Sequence, residues 1–429
     1  MSMAHEVDSR YAWFRLTVSL VLMTIGSCGM YVVIVVLPAV QAEFGVARGE
    51  ASLPYTLTMI GFGVGGIVMG RLSDRFGIIV PVVIGTVALA IGFVVAAYAP
   101  SLLWFAIAQG VLIGLLGSSA TFAPLLTDTS FWFLRRRGIA VAICASGNYL
   151  AGAVWPPIVQ SFVESVGWRP TYIGVGLFCL VTMLPLAMLL RARRPEATSL
   201  PVSAREIERV AAGEALAPGP ALALPAAIAE RPLGMSAGNL QMLLCVAGVA
   251  CCVAMSMPQV HIVAYCADLG YGPARGAEML SLMLGFGIVS RLASGLICDR
   301  IGGLRTLLLG SVLQGIALLL FLPFESLGSL YVISALFGLF QGGIVPSYAI
   351  IVREYFSPRQ AGERVGAVLT ATMFGMALGG WLSGAIFDLT GSYDAAFING
   401  IGWNALNVAI MIWLLRRARG LGALRPVFA

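Results

Sequence analysis

The chain has 429 residues, 59% hydrophobic and only 11% charged, with a formal charge of +6 and a mean hydropathy of +0.92. Water-soluble domains carry about 25% charged residues, so this composition excludes an ordinary soluble enzyme or binding module and implies an integral membrane protein. All 26 basic residues are arginine; with abundant Ala and Gly this suggests a GC-rich bacterial genome, and nothing in the charge pattern points to nucleic acid.

Apolar runs of 18 or more residues recur along the chain, each long enough to cross about 30 Å of hydrocarbon as a helix. Twelve are predicted: 14–38, 52–71, 78–98, 101–127, 138–162, 171–191, 238–265, 277–297, 304–323, 329–352, 364–387 and 396–415. The first is too long for a cleaved signal peptide, although V-Q-A at Val40–Ala42 imitates a cleavage site. Orientation follows from the arginines. Alternate connections hold Arg71 and Arg75; Arg135, Arg136 and Arg137; Arg191, Arg193 and Arg194; Arg300 and Arg305; Arg353, Arg359 and Arg364. The tail adds Arg416, Arg417 and Arg419, whereas the intervening connections hold little more than Arg48, Arg169 and Arg275. Both termini are therefore expected in the cytoplasm, and a bacterial chain of this kind is expected in the inner membrane.

From Arg191 to Met235 the apolar pattern gives way to an Ala/Pro-rich polar segment with a short helical-looking piece at Ser203–Gly213. It reads as a linker. The expected organisation is an N-terminal six-helix bundle (1–190), a cytoplasmic linker loop (191–236), and a C-terminal six-helix bundle with a cytoplasmic tail (237–429). The halves repeat each other. G-R-L-S-D-R-F-G at Gly70–Gly77 recurs as G-L-I-C-D-R-I-G at Gly295–Gly302, an offset of 225; Gly114 matches Gly338 and Phe133 matches Phe356 at nearly the same offset. This is a parallel internal duplication.

The stretch Leu282–Arg305 carries a cation, Arg291, inside an apolar run. A guanidinium in hydrocarbon costs about 3 to 17 kcal/mol, so it is expected to line a wet cavity and bind an anion. Gly287 and Gly295, four residues to either side on one helical face, leave room for a ligand. The equivalent position in the first half is Gly66, so the charge was placed once, as a ligand site would be. Tyr31 and Asn148 are candidate hydrogen-bond donors to that anion. His261 is a candidate for substrate binding or proton coupling, and Asp268 for coupling or gating. Asn399, Asn404 and Asn407 read as interhelical contacts. The eight cysteines lack metal-ligand or disulfide spacing and read as core residues. No nucleotide-binding glycine loop is present, which excludes ATP drive; no cofactor, metal or covalent catalysis is expected.

The repeated G-x-x-x-D-R-x-G resembles the signature of the major facilitator superfamily. That resemblance implies two pseudo-symmetric six-helix bundles, all-α, and assigns Gly70, Asp74, Arg75, Gly77, Gly295, Asp299, Arg300 and Gly302 to a cytoplasmic conformational latch. D-S-R-Y-A-W at Asp8–Trp13, F-L-R-R-R-G-I-A-V-A-I-C-A-S-G at Phe133–Gly147, H-I-V-A-Y-C-A-D-L-G at His261–Gly270, and the S-R-L-A-S-G around Arg291 are similar to motifs of the monocarboxylate transporter family and its oxalate–formate exchanger neighbours. The resemblance implies secondary transport of a small organic anion whose carboxylate binds Arg291, by proton symport or anion exchange; a monomer is expected. Animal members carry an aspartate and a first-helix lysine where Gly287 and Tyr31 stand here. The eleventh helix lacks the second cation of the oxalate–formate exchangers, so one deep positive charge suits a monocarboxylate. A membrane receptor for the anion, or an exporter of another class of small molecule, is the alternative; W-P-P at Trp155–Pro157 replaces the glycine–proline pattern of drug exporters.

Overall fold

A computed structural model describes residues 7–133, 136–192 and 232–420. The described residues are helical throughout, with no strand. Twelve helices are long and apolar enough to span a bilayer: α1 Arg10–Val35, α2 Arg48–Phe76, α3 Ile79–Ala97, α4 Leu102–Trp132, α5 Ile139–Val166, α6 Trp168–Leu189, α7 Ala237–Asp268, α8 Pro273–Ile301, α9 Gly303–Leu320, α10 Leu327–Tyr355, α11 Gly362–Thr390 and α12 Asp394–Gly420. Each matches one predicted run, and most extend past it into polar residues, because a helix end needs water rather than apolar side chains. Most of the segment expected to link the halves, including Ser203–Gly213, lies outside the described residues, as does the end of the tail.

The helices pack in two sets. In the first, α2 lies on α4, α3 on α6 and α1 on α5; in the second, α7 lies on α11, α8 on α10 and α9 on α12. The sets meet along two seams, α5 against α8 and α2 against α11. Turns at corresponding places use glycine where φ is positive, Gly77 at 80° and Gly302 at 82°, a conformation that costs a residue with a Cβ about 1–2 kcal/mol. Buried polar side chains pair across helices. Asn404 donates to the Ser311 carbonyl (3.0 Å) and Asn407 to Ser311 Oγ (2.8 Å), and Tyr348 donates to Asn407 (3.1 Å). These tie α12 to α9 and α10, as expected of two of the three asparagines; Asn399 makes no such bond among the described residues.

Both seams part toward the arginine-rich face. On α11, an added Cβ at Gly384 would lie 2.9 Å from Arg48 and Gly49, and at Gly380 2.9 Å from the Tyr55 ring. Further along the seam, Thr56 donates to the Ala377 carbonyl (3.1 Å) and Gly63 meets Met373 at 3.4 Å. Beyond that point Gly66 and Gly70 on α2, and Gly366 and Gly362 on α11, have nothing within 4 Å of an added Cβ. The α5–α8 seam behaves alike: Ser281 donates to the Ala153 carbonyl, Gly287 is pressed by Tyr149, and Gly295 meets nothing. The molecule is closed at its arginine-poor face and wedged open at the other.

Candidate functional site

Arg291 is the last residue to bridge the α5–α8 seam before it opens. Its Nη1 donates to the Ala145 carbonyl on α5 (3.0 Å), and its guanidinium carbon sits 4.4 Å above the Tyr149 ring. Its Nε is buried without a hydrogen-bond partner, and among the described residues no carboxylate pairs with it. The contrast with the other deep arginines is sharp. Arg15, which the sequence reading overlooked when it counted one deep cation, is 2% exposed and pairs with Asp128 at 2.9 Å, with the Leu190 carbonyl at 2.8 Å and with the Trp132 ring. Arg48 is paired with Asp268 at 3.0 Å. A guanidinium has a planar fork of N–H donors that matches a carboxylate, and that of Arg291 is only partly used by the residues described.

Tyr31 and Asn148 are brought to this seam. Tyr31 donates to Asn148 Oδ1 at 2.5 Å, and an added Cβ at Gly152 would lie 2.8 Å from the Tyr31 ring. Asn148 Nδ2 points at Met30 Sδ (3.7 Å), a weak acceptor that a better one would displace. The space expected beside Gly287 is filled: an added Cβ there would lie 2.4 Å from the Tyr149 ring. That glycine makes room for the ring under the guanidinium, not for a ligand. Only Gly295 faces open space. Tyr149 and the Ala145 carbonyl escaped the sequence reading, although they stand one and three residues from Asn148.

His261 stands apart. It lies seven residues from the far end of α7, whereas Arg291 is eighteen residues into α8, which separates them by roughly 16 Å along the membrane normal at 1.5 Å per residue. Its Nε2 meets the Gly380 carbonyl at 2.8 Å and its Nδ1 meets Tyr393 Oη at 3.0 Å. A carbonyl only accepts, so Nε2 carries a proton and donates it to Gly380. Both nitrogens are used, so in this conformation His261 contacts the closed face rather than an anion at Arg291. Asp268, its expected companion, chelates Arg48 through both oxygens (3.0 and 3.1 Å).

The latch residues lie at the parted ends of α2 and α8. Asp74, Arg75, Asp299 and Arg300 are exposed, and none forms an ion pair among the described residues; the Arg75 guanidinium lies over the Phe76 ring (5.1 Å). The close helix approach expected at Gly70 and Gly295 is absent because the seams are open there. The carboxylate that receives the N-terminus of α9 is Glu354, which accepts from the Gly303 amide (2.9 Å). No group of metal-ligating side chains occurs among the described residues.

A family model described as the Major Facilitator Superfamily matches residues 19–329 and 242–428. The chain belongs to the major facilitator superfamily. Among its curated superfamily relatives, monocarboxylate transporter 13 of Bos taurus is 29% identical over 345 residues, 78% of this chain and 73% of that one. Among solved structures, a peptide transporter, POT, in complex with sulfate superposes with a TM-score of 0.69 at 14% identity, covering 96% of this chain and 95% of that one. A bacterial homologue of the human lysosomal transporter Spinster, inward-facing and unoccupied, gives 0.65 at 14% identity with 96% of each chain covered. At that identity the structures establish the superfamily fold alone. The superfamily's members are transporters and not enzymes, and this one is a multi-pass membrane protein related to monocarboxylate transporters.

Proposed function

We propose that this protein is a secondary active transporter of a small organic anion, a monocarboxylate, which binds through its carboxylate to Arg291. The observation that carries the reading is the state of that side chain: one donor on Ala145, the cation over Tyr149, a buried Nε without a partner, and no ion pair with a carboxylate among the described residues. An arriving carboxylate takes the free edge, and Tyr31 and Asn148 can turn their donors to its remaining oxygens. Because Arg291 belongs to the second bundle and Ala145, Tyr149, Tyr31 and Asn148 to the first, an anion held among them touches both bundles, which links binding to their relative motion. The arginine-rich face is assigned to the cytoplasm, with both termini there and the chain in a bacterial inner membrane as a monomer. Asp74, Arg75, Asp299 and Arg300 latch that face when it closes.

The deciding experiment is counterflow in proteoliposomes with a panel of mono- and dicarboxylates at two pH values. Monocarboxylates are expected to exchange and dicarboxylates not to; a proton co-substrate appears as net uptake that rises as external pH falls, an exchanger as flux that needs internal anion. Arg291→Ala is expected to abolish flux. Normal binding and transport by that variant would remove the site.

A further inference from the structure

At the arginine-poor face the two bundles are joined by one cluster that the anion site does not use. The first turn of α2, Arg48–Ala51, is seated against the outer ends of α7 and α11 and against Tyr393, which precedes α12. Asp388 of α11 accepts from the Arg48 and Gly49 backbone amides (2.8 and 2.7 Å), and Asp268 of α7 holds the Arg48 guanidinium through both oxygens. Arg48 Nη1 also donates to Tyr393 Oη (2.7 Å), and the cation lies 4.6 Å from the Phe387 ring centroid. Tyr393 passes the contact inward to His261, which is anchored on the Gly380 carbonyl. The floor of the socket is glycine. At Gly384 an added Cβ would meet Arg48, Gly49 and Ser52 at 2.9 Å each, and Gly49 in turn lies against Ala385. Arg48 is 7% exposed although it sits at a membrane face.

We propose that Arg48 is the key of an outer gate: the first turn of α2 plugs into a glycine-floored acidic socket formed by Asp268, Asp388 and Tyr393, and its withdrawal opens the cavity to the outside. A structural contact within one bundle would persist through the transport cycle. This one joins the two bundles, and it is made while the opposite ends of the same seams are apart. Charge and shape act together here. The carboxylates hold the plug, and the absence of side chains at Gly380 and Gly384 lets the helices meet. His261 and Tyr393 then act as positioning residues that fix the socket's inner wall. The inference rests on the proposed alternation between faces but not on the identity of the carried anion.

The test is a distance measurement across the outer face without substrate. Spin labels at Tyr98→Cys and Phe324→Cys, both exposed positions on opposite bundles, are introduced with Cys245, the cysteine that is not fully buried, replaced by Ser. Arg48→Gln and Asp268→Asn are expected to raise the long-distance population several-fold, and Gly384→Val to raise it most. Gly366→Val, a wedge of the same size on the same helix in the open seam, is expected to lower it. Unchanged distributions in Arg48→Gln and Gly384→Val, in protein that elutes as a single folded species, would overturn the gate and leave the Arg291 assignment to its own flux assay. A shift in both Gly384→Val and Gly366→Val in the same direction would also overturn it, because it would mean general loosening. Should flux fail for every carboxylate while the distances move as stated, the gate stands and the substrate assignment falls.

Discussion

Arg15 and Arg291, two arginines inside membrane-spanning helices, have different fates because their partners differ. Arg15 has a carboxylate, a carbonyl and an aromatic ring, which makes it a strut of the first bundle. Removing one partner of such a buried pair strands the other charge and typically costs about 3–5 kcal/mol. Arg15→Ala is therefore expected to lower the melting temperature sharply in a thermal assay, while any folded fraction keeps its affinity for substrate. Among the described residues Arg291 meets a carbonyl and a ring and no carboxylate, which leaves its charge for the proposed anion. Arg291→Lys keeps the charge but loses the planar fork, and the half-saturation concentration is expected to rise by tenfold or more, about 1.4 kcal/mol, with little change in stability. Gly287→Ala separates the ring from the cation. Its methyl would lie 2.4 Å from the Tyr149 ring, so Tyr149 must leave the guanidinium, and a several-fold loss of affinity in the same flux assay is expected.

Helix ends show how little sequence is needed to fix an element and how much context is needed to place it. The turns closing α2 and α8 need positive φ at Gly77 and Gly302, and both follow an Asp-Arg pair. The outer end of the first bundle is fixed differently. After α1, Glu43 of the short helix Leu37–Phe44 binds Arg169 (2.8 Å) and Trp168 (2.5 Å), and Arg169 also caps the α3 end through the Ala97 and Ala99 carbonyls. Burial pushes the Glu43 carboxyl up, but the bonds from Arg169 and Trp168 and the Arg169 charge outweigh it and hold it below the ordinary carboxylate range. A depressed carboxylate stabilises the fold above its unfolded titration range, and the effect is lost as pH falls through the folded value. The melting-temperature gap between wild type and Glu43→Gln is therefore expected to be small at neutral pH, since the pair is partly exposed, and to close as the pH falls below the ordinary carboxylate range.

At the scale of the molecule, two bundles of like topology meet on two seams that are tight at one face and parted at the other. The repeated turn gives both halves the same hinge-side ends, while Arg291 in the middle of α8 and the Arg48 turn of α2 have no counterpart in the other half and break the symmetry. A rocking carrier needs both features: equivalent lobes for motion, and unlike residues to bind a ligand and to close each face. The assignment of faces has its own test. A membrane-impermeant thiol reagent added to intact cells is expected to label Tyr98→Cys and to leave Gly420→Cys unmodified until the cells are opened; the reverse pattern would invert the topology.

Span number and the duplication were legible in the sequence, because each is written in local composition or in a short repeated word, and Arg291 stands out there as a candidate. Apolar length dictates a spanning helix, and a guanidinium in an apolar run demands an explanation wherever it packs. Tyr149 beneath the cation, His261 held at the closed face, the carboxylate on Arg15 and the contacts of Arg48 were decided only by tertiary structure. Their partners stand from 113 to 345 positions away in the chain, and no local spacing records which helix faces which. Charges one bundle presents to the other acquire their meaning when the two are packed, since pairing depends on distance in space.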